Sequence, residues 1–109
     1  MRPVRVSTAG TGTATAPVPL DQYLNPFSVT MSCIVTGVAT YTVEWTNDNI
    51  WDPAFNPNTA NWFQAAANLV GAVDNEAGSL DAPVAAVRCR QTAGAGSVTM
   101  TVTQSGAAR

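Results

Sequence analysis

Apolar and hydroxylated residues alternate along three stretches of the chain. Phe27-Ser28-Val29-Thr30-Met31-Ser32-Cys33 is the first, Ala39 to Thr46 the second and Val98 to Thr103 the third. A period of two sends successive side chains to opposite faces of a strand, so each stretch predicts a strand with one dry and one wet face. The short Gly37-Val38 link between the first two predicts a tight antiparallel hairpin with Thr36 and Ala39 near its corners. Val84 to Thr92 reads as a further strand, with Ala85, Val87 and Cys89 inward and Arg88 and Arg90 outward. Ala93-Gly94-Ala95-Gly96 then predicts a turn into the last strand and a second hairpin. Both hairpins are expected in antiparallel sheets packed on one face.

The remaining segments are less regular. Asn47 to Gly78 carries Pro53 and Pro57, which break any long helix, and Asn-rich turns. Within it, Trp62 to Val70 fits a short helix or a strand, and Asp74 to Gly78 predicts a turn before a strand over Ser79 to Ala82. At the N-terminus a short Val4-Arg5-Val6 strand precedes the small, low-complexity run Thr8 to Thr15 and then Pro17-Val18-Pro19-Leu20. That segment has two readings: an extended arm that orders against a neighbour, or an edge strand and its loop in a self-contained sandwich. The fold class is therefore all-β, an antiparallel β-sandwich that is jelly-roll-like or immunoglobulin-like. Residues 1–20 form an N-terminal edge strand and flexible arm, and residues 21–109 a single sandwich domain.

Composition narrows what such a domain does. Hydrophobic residues make up 46% of the 109 and charged residues 11%, against about 25% charged in ordinary soluble domains. Much of the surface must then be Thr, Ser, Asn and Gln, and a net charge of -2 does little to keep copies apart. The cations are Arg2, Arg5, Arg88, Arg90 and Arg109, too sparse a set for a phosphate-binding stripe, so no direct nucleic-acid contact is expected. No apolar run approaches the ~20 residues of a membrane span, and the first residues lack the apolar core of a signal peptide, so no membrane contact is expected and synthesis is expected in the cytosol. Cys33 and Cys89 would add roughly 4 kcal/mol if bridged. Their place inside apolar strand patterns, in a chain without an export signal, favours buried free thiols.

Catalytic chemistry finds little to work with. The chain has no His and no Lys, which removes the commonest general base, metal ligand and Schiff-base nucleophile. Gly10-Thr11-Gly12 lacks the third glycine and following helix of a phosphate loop, and two cysteines 56 positions apart do not make a zinc site. Glu44, Asp48, Asp52, Asp74, Glu76 and Asp81 permit a glycosidase-like carboxylate pair without implying one. Asp48, Asn49 and Asp52, with Asp74, have oxygens suited to calcium, but Asx residues at such places usually close turns on their own backbone. No catalytic residue, cofactor or metal is expected, and the chain is not expected to be an enzyme.

The aromatic residues offer a better lead. Trp45, Trp51, Phe55, Trp62 and Phe63 fall within nineteen consecutive positions. Trp45 belongs to the dry face of its strand; Trp51, Phe55, Trp62 and Phe63 are candidate protein contacts, joined by Thr11, Thr13, Val18 and Leu20 of the N-terminal arm. A different class of function, carbohydrate binding, would use Trp51, Trp62 and Phe63 as a stacking platform.

The run from Phe27-Ser28-Val29 through Val35 to Thr46, followed by Asp74 to Gly78, Val84 to Arg88 and Gly96 to Gln104, resembles small structural proteins encoded in the head modules of tailed bacteriophages. The similarity covers most of the chain from Pro26 onward and consists of strands and turns. It implies a decoration or cement protein: a β-sandwich on the outside of the assembled head that clamps adjacent major capsid subunits, as a homo-oligomer, dimer or trimer. It implies no catalytic residue, and a location on the capsid surface of the virion after assembly in the host cytoplasm. A tail, neck or fibre-associated virion protein shares the same features.

Overall fold

The computed structural model describes residues 3–23 and 27–105. Arg2, Pro26 and Arg109, which enter the sequence reading, lie outside them. Among the described residues the alternating stretches become β4 (Ser28–Thr36), β5 (Thr40–Thr46), β8 (Ala86–Ala93) and β9 (Ser97–Ser105). Shorter strands complete the set: β1 (Val4–Ala9), β2 (Thr13–Ala14), β3 (Val18–Pro19), β6 (Phe63–Gln64) and β7 (Glu76–Leu80). They form two antiparallel sheets packed as a sandwich. The first has the order β1-β9-β4-β7; the second has β8, β5 and β6 in order, with β2 and β3 both along the outer edge of β8.

Both expected hairpins are corrected by this topology. β4 pairs with β9 and β7, β5 pairs with β8 and β6, and neither short link joins hydrogen-bonded neighbours. Each link is an arch that carries the chain from one sheet to the other. Alternation permits either solution, because it says which side of a strand is dry and not whether the next strand lies beside it or opposite. The arch wins because two one-sided sheets bury their apolar faces only against each other.

Those faces meet in a dry core. Val29, Met31 and Cys33 of β4 and Val98, Met100 and Val102 of β9 oppose Tyr41 and Val43 of β5 and Val87 and Cys89 of β8, all fully buried. Each large side chain contributes about 1.5–3 kcal/mol by leaving water. Outward on the first sheet, Thr30, Ser32 and Thr36 of β4 stand opposite Thr103, Thr101 and Ser97 of β9, the wet face that the alternation predicts. Trp45 packs against the core as expected, partly buried.

Three crossings gather at one end. The β4–β5 and β8–β9 arches touch through the Gly96 amide, which donates to the Val38 carbonyl at 2.8 Å. The link from β1 to β2 joins them, with Gly12 N–H on Gln91 O at 2.9 Å. Contact is so close that a Cβ on Gly94 would lie 2.3 Å from the Val38 oxygen, and one on Gly96 would lie 2.3 Å from the Thr36 oxygen. Only glycine lets the backbones approach this far. Inside the arch, fully buried Gln91 sets its Nε2 3.0 Å from the carbonyls of both Gly94 and Gly96.

The N-terminal segment is the second of its two readings, an edge strand in a self-contained sandwich. β1 pairs with β9 from Val4↔Val102 to Ala9↔Ser97, and the chain then crosses to run along β8. Between β2 and β3 one extra residue bulges out, and the Thr15 hydroxyl accepts the Cys89 amide at 3.0 Å in place of a ladder carbonyl. The segment from Val4 to Pro19 is therefore tied to both sheets through β1, β2 and β3.

Two further expectations change within the insertion. Trp62 to Val70 contains both elements, the short β6 and a 3-10 turn at Ala67–Leu69 whose Leu69 plugs the core. The expected turn over Asp74 to Gly78 is shorter, and the strand runs over Glu76–Leu80 and not Ser79 to Ala82, because pairing with β4 overrides the local turn preference. Asn75 serves a distant strand and not its own turn: its Oδ1 accepts the Val35 amide of β4 at 2.8 Å.

Candidate docking site

The end opposite the arches is open. After β3 the chain runs through Asp21 to Tyr23, and after β5 through Asn47 to Trp51; between them lies a hollow of about 630 Å³ with Ala85 also on its lining. Buried Gln104, the last inward residue of β9, fixes one wall. Its Oε1 accepts the Asp21 amide at 2.9 Å and its Nε2 donates to the Asp21 carbonyl at 2.7 Å, so one side chain ties the β3 exit to the other sheet.

Turn chemistry mounts the aromatic groups. Asp21 Oδ1 accepts the Tyr23 amide at 3.0 Å, and Asn49 Oδ1 accepts the Trp51 amide at 3.1 Å. Thr46 Oγ1 and Asp48 Oδ2 brace the second loop by accepting the amides of Asp48 and Asn61. The two rings are left in solvent, Tyr23 at 88% and Trp51 at 76% exposure. The charged residues on the hollow are Asp21 and Asp48, so it is acidic as well as aromatic. Such a lining suits a knob carrying a cation on an apolar stem, by ion pairing at the carboxylates and attraction to the ring faces.

The sequence-derived contact residues have different fates. Trp51 lies on the hollow, and half-buried Phe55 lines a smaller recess of about 230 Å³ beside it. Trp62 is half-buried: its indole N–H donates to the Pro57 carbonyl at 2.9 Å and the Arg88 guanidinium sits 4.2 Å from its ring centre. Phe63 is half-exposed and stacks on Trp45 at 4.8 Å. Trp62 and Phe63 line neither recess, so the three-ring platform is not assembled around one hollow. Thr11 and Thr13 are exposed but brace the arch end, with hydroxyls donating to Gly94 O at 3.3 Å and Gly10 O at 2.7 Å. Val18 and Leu20 lie in the chain's own core, and Leu20 also reaches the lining of the hollow.

Tyr23 is the exposed aromatic residue on the hollow that sequence reading misses. Its signal is slight, an Asx turn at Asp21 two residues ahead of it. The acidic residues mostly serve the backbone or each other's partners: Asp52 Oδ1 accepts the Ala54 amide at 2.9 Å, and buried Glu44 binds Arg88 at 3.0 Å and Arg90 at 3.5 Å. Among the described residues no group of three His, Cys, Asp or Glu is arranged to hold a metal.

Comparison with known proteins adds a fold likeness. No family model and no curated protein matches the chain. A solved structure of Bacillus endospore appendages, described as a novel family of disulfide-linked pili, superposes with a TM-score of 0.51 at 17% identity, covering 97% of this chain and 86% of that one. At this identity the likeness concerns the fold alone.

Proposed function

We propose that this chain is a virion structural protein of the capsid-decoration kind, which acts by docking and not by catalysis. The observation that supports it best is the acidic hollow with Tyr23 and Trp51 held out of the chain's own core on short, braced turns. Backbone held this way loses little freedom on binding, and exposed rings carried on it are the anchors that come to dominate protein interfaces. The weakly charged surface, and a strand pattern that resembles phage head proteins, support the same reading. The partner is the major capsid protein, presenting an Arg or Lys on an apolar loop, and many copies stabilise the lattice in proportion to occupancy. Clustering as dimers or trimers on the shell would let modest contacts act together.

Co-sedimentation with capsids of the virus that encodes the chain tests this. Saturable binding is expected, weakened at least ~10-fold by Trp51→Ala or Tyr23→Ala and weakened further by high salt, which screens the acidic hollow. Absence of binding by the folded chain overturns the reading. Filaments grown by the chain alone would replace it with self-assembly, the competitor that the pilus-like fold favours, and retention on a glycan array would replace it with carbohydrate binding.

A further inference from the structure

Cys33 and Cys89 face each other across the sandwich. Cys33 is inward on β4, opposite Met100 of β9, and Cys89 is inward on β8, opposite Val43 of β5. Both are fully buried, and their thiols are in hydrogen-bond contact. β4 and β8 belong to different sheets, so this contact joins the two layers at the middle of the core.

We propose that Cys33 and Cys89 are the two halves of an oxidisable staple, which forms an intrachain disulfide between the sheets when the chain folds in the presence of a low-molecular-weight disulfide. The Cys33 thiolate attacks one sulfur of the small disulfide, forming a mixed disulfide and releasing one small thiolate. Cys89 then attacks the Cys33 sulfur, closes the protein disulfide and expels the second small thiolate; the protons of the two cysteines end on the two departing thiols. Two protein thiols are oxidised and one small disulfide is reduced to two thiols. In the folded pair the hydrogen bond from Cys89 draws the Cys33 thiol below its ordinary range, whereas that bond and burial push Cys89 up; in the open chain that bond is absent and either cysteine can make the first attack. Two buried thiols that share a hydrogen bond across facing sheets are close enough for the ~2.0 Å bond to form with modest adjustment of side chains and strands.

Burial makes the staple a folding-time choice. A core sulfur meets an oxidant while the chain is open, and the closed sandwich then protects either state, thiol or disulfide. Because the bond would close a loop spanning most of β4 to β8, the oxidised form is expected to melt higher by about 10 °C or more.

The test refolds the full chain from denaturant in parallel with oxidised glutathione and with reductant. The oxidised product is expected to be a monomer lighter by about 2 Da, with a Cys33–Cys89 peptide on mapping and a raised Tm. Two free thiols, glutathione adducts or disulfide-linked dimers as the main product would overturn the proposal. Cys33→Ser should abolish both the mass change and the Tm difference between the two refolding conditions; if that variant does not fold, the peptide map of the unaltered chain decides.

Discussion

At one end of the sandwich three chain crossings lie in hydrogen-bond contact, and two positions leave no space for a methyl group. At the other end two aromatic rings stand in solvent around a hollow of about 630 Å³. A buried glutamine serves each end: Gln91 gathers the arch carbonyls from inside the second sheet, and Gln104 clips the Asp21 backbone from inside the first. The contrast separates two kinds of demand on sequence. The arch end is fixed by backbone approach, which dictates glycine; the open end is fixed by turns and a clip, which leave the side chains at the rim free to serve a partner.

Substitutions at the two ends should therefore behave oppositely. Gly94→Ala has the largest expected effect, because its Cβ meets backbone atoms that cannot rotate away and its φ of 96° disfavours any side chain. A loss of about 3 kcal/mol or more in urea unfolding is expected; a loss below about 1 kcal/mol would show that the arches can separate without cost.

Next come the glutamines. Gln91→Leu and Gln104→Leu should each cost about 1–3 kcal/mol through the backbone bonds that each removes. Gln104→Leu carries a second consequence: with the β3 exit unclipped, protection of the Asp21–Tyr23 amides in hydrogen exchange should fall while that of Gly96 stays. Equal loss at both ends would mean that the glutamines act on the sandwich as a whole.

The smallest change in stability belongs to Trp51→Ala and Tyr23→Ala, within about 0.5 kcal/mol of the unaltered chain. These two carry the expected docking loss, so a large stability loss would show that the rings belong to the core and break the contrast.

Much of this architecture is written in the residues themselves. Alternation from Ser28, Thr40 and Ser97 onward is a local consequence of strand geometry, and it marks Val29, Met31, Val43, Met100 and Val102 as core before any neighbour is known. Asx and hydroxyl residues at Asp21, Thr46, Asn49 and Asp52 likewise carry their turn chemistry with them. What the tertiary structure decided is pairing. Whether Gly37 sits in a hairpin or an arch, whether Val18 faces a partner or the core, and whether Cys33 meets Cys89 all depend on which strand lies opposite. The energy that selects this comes from burying two apolar faces together, a sum over contacts distant in the chain that no short window of sequence contains.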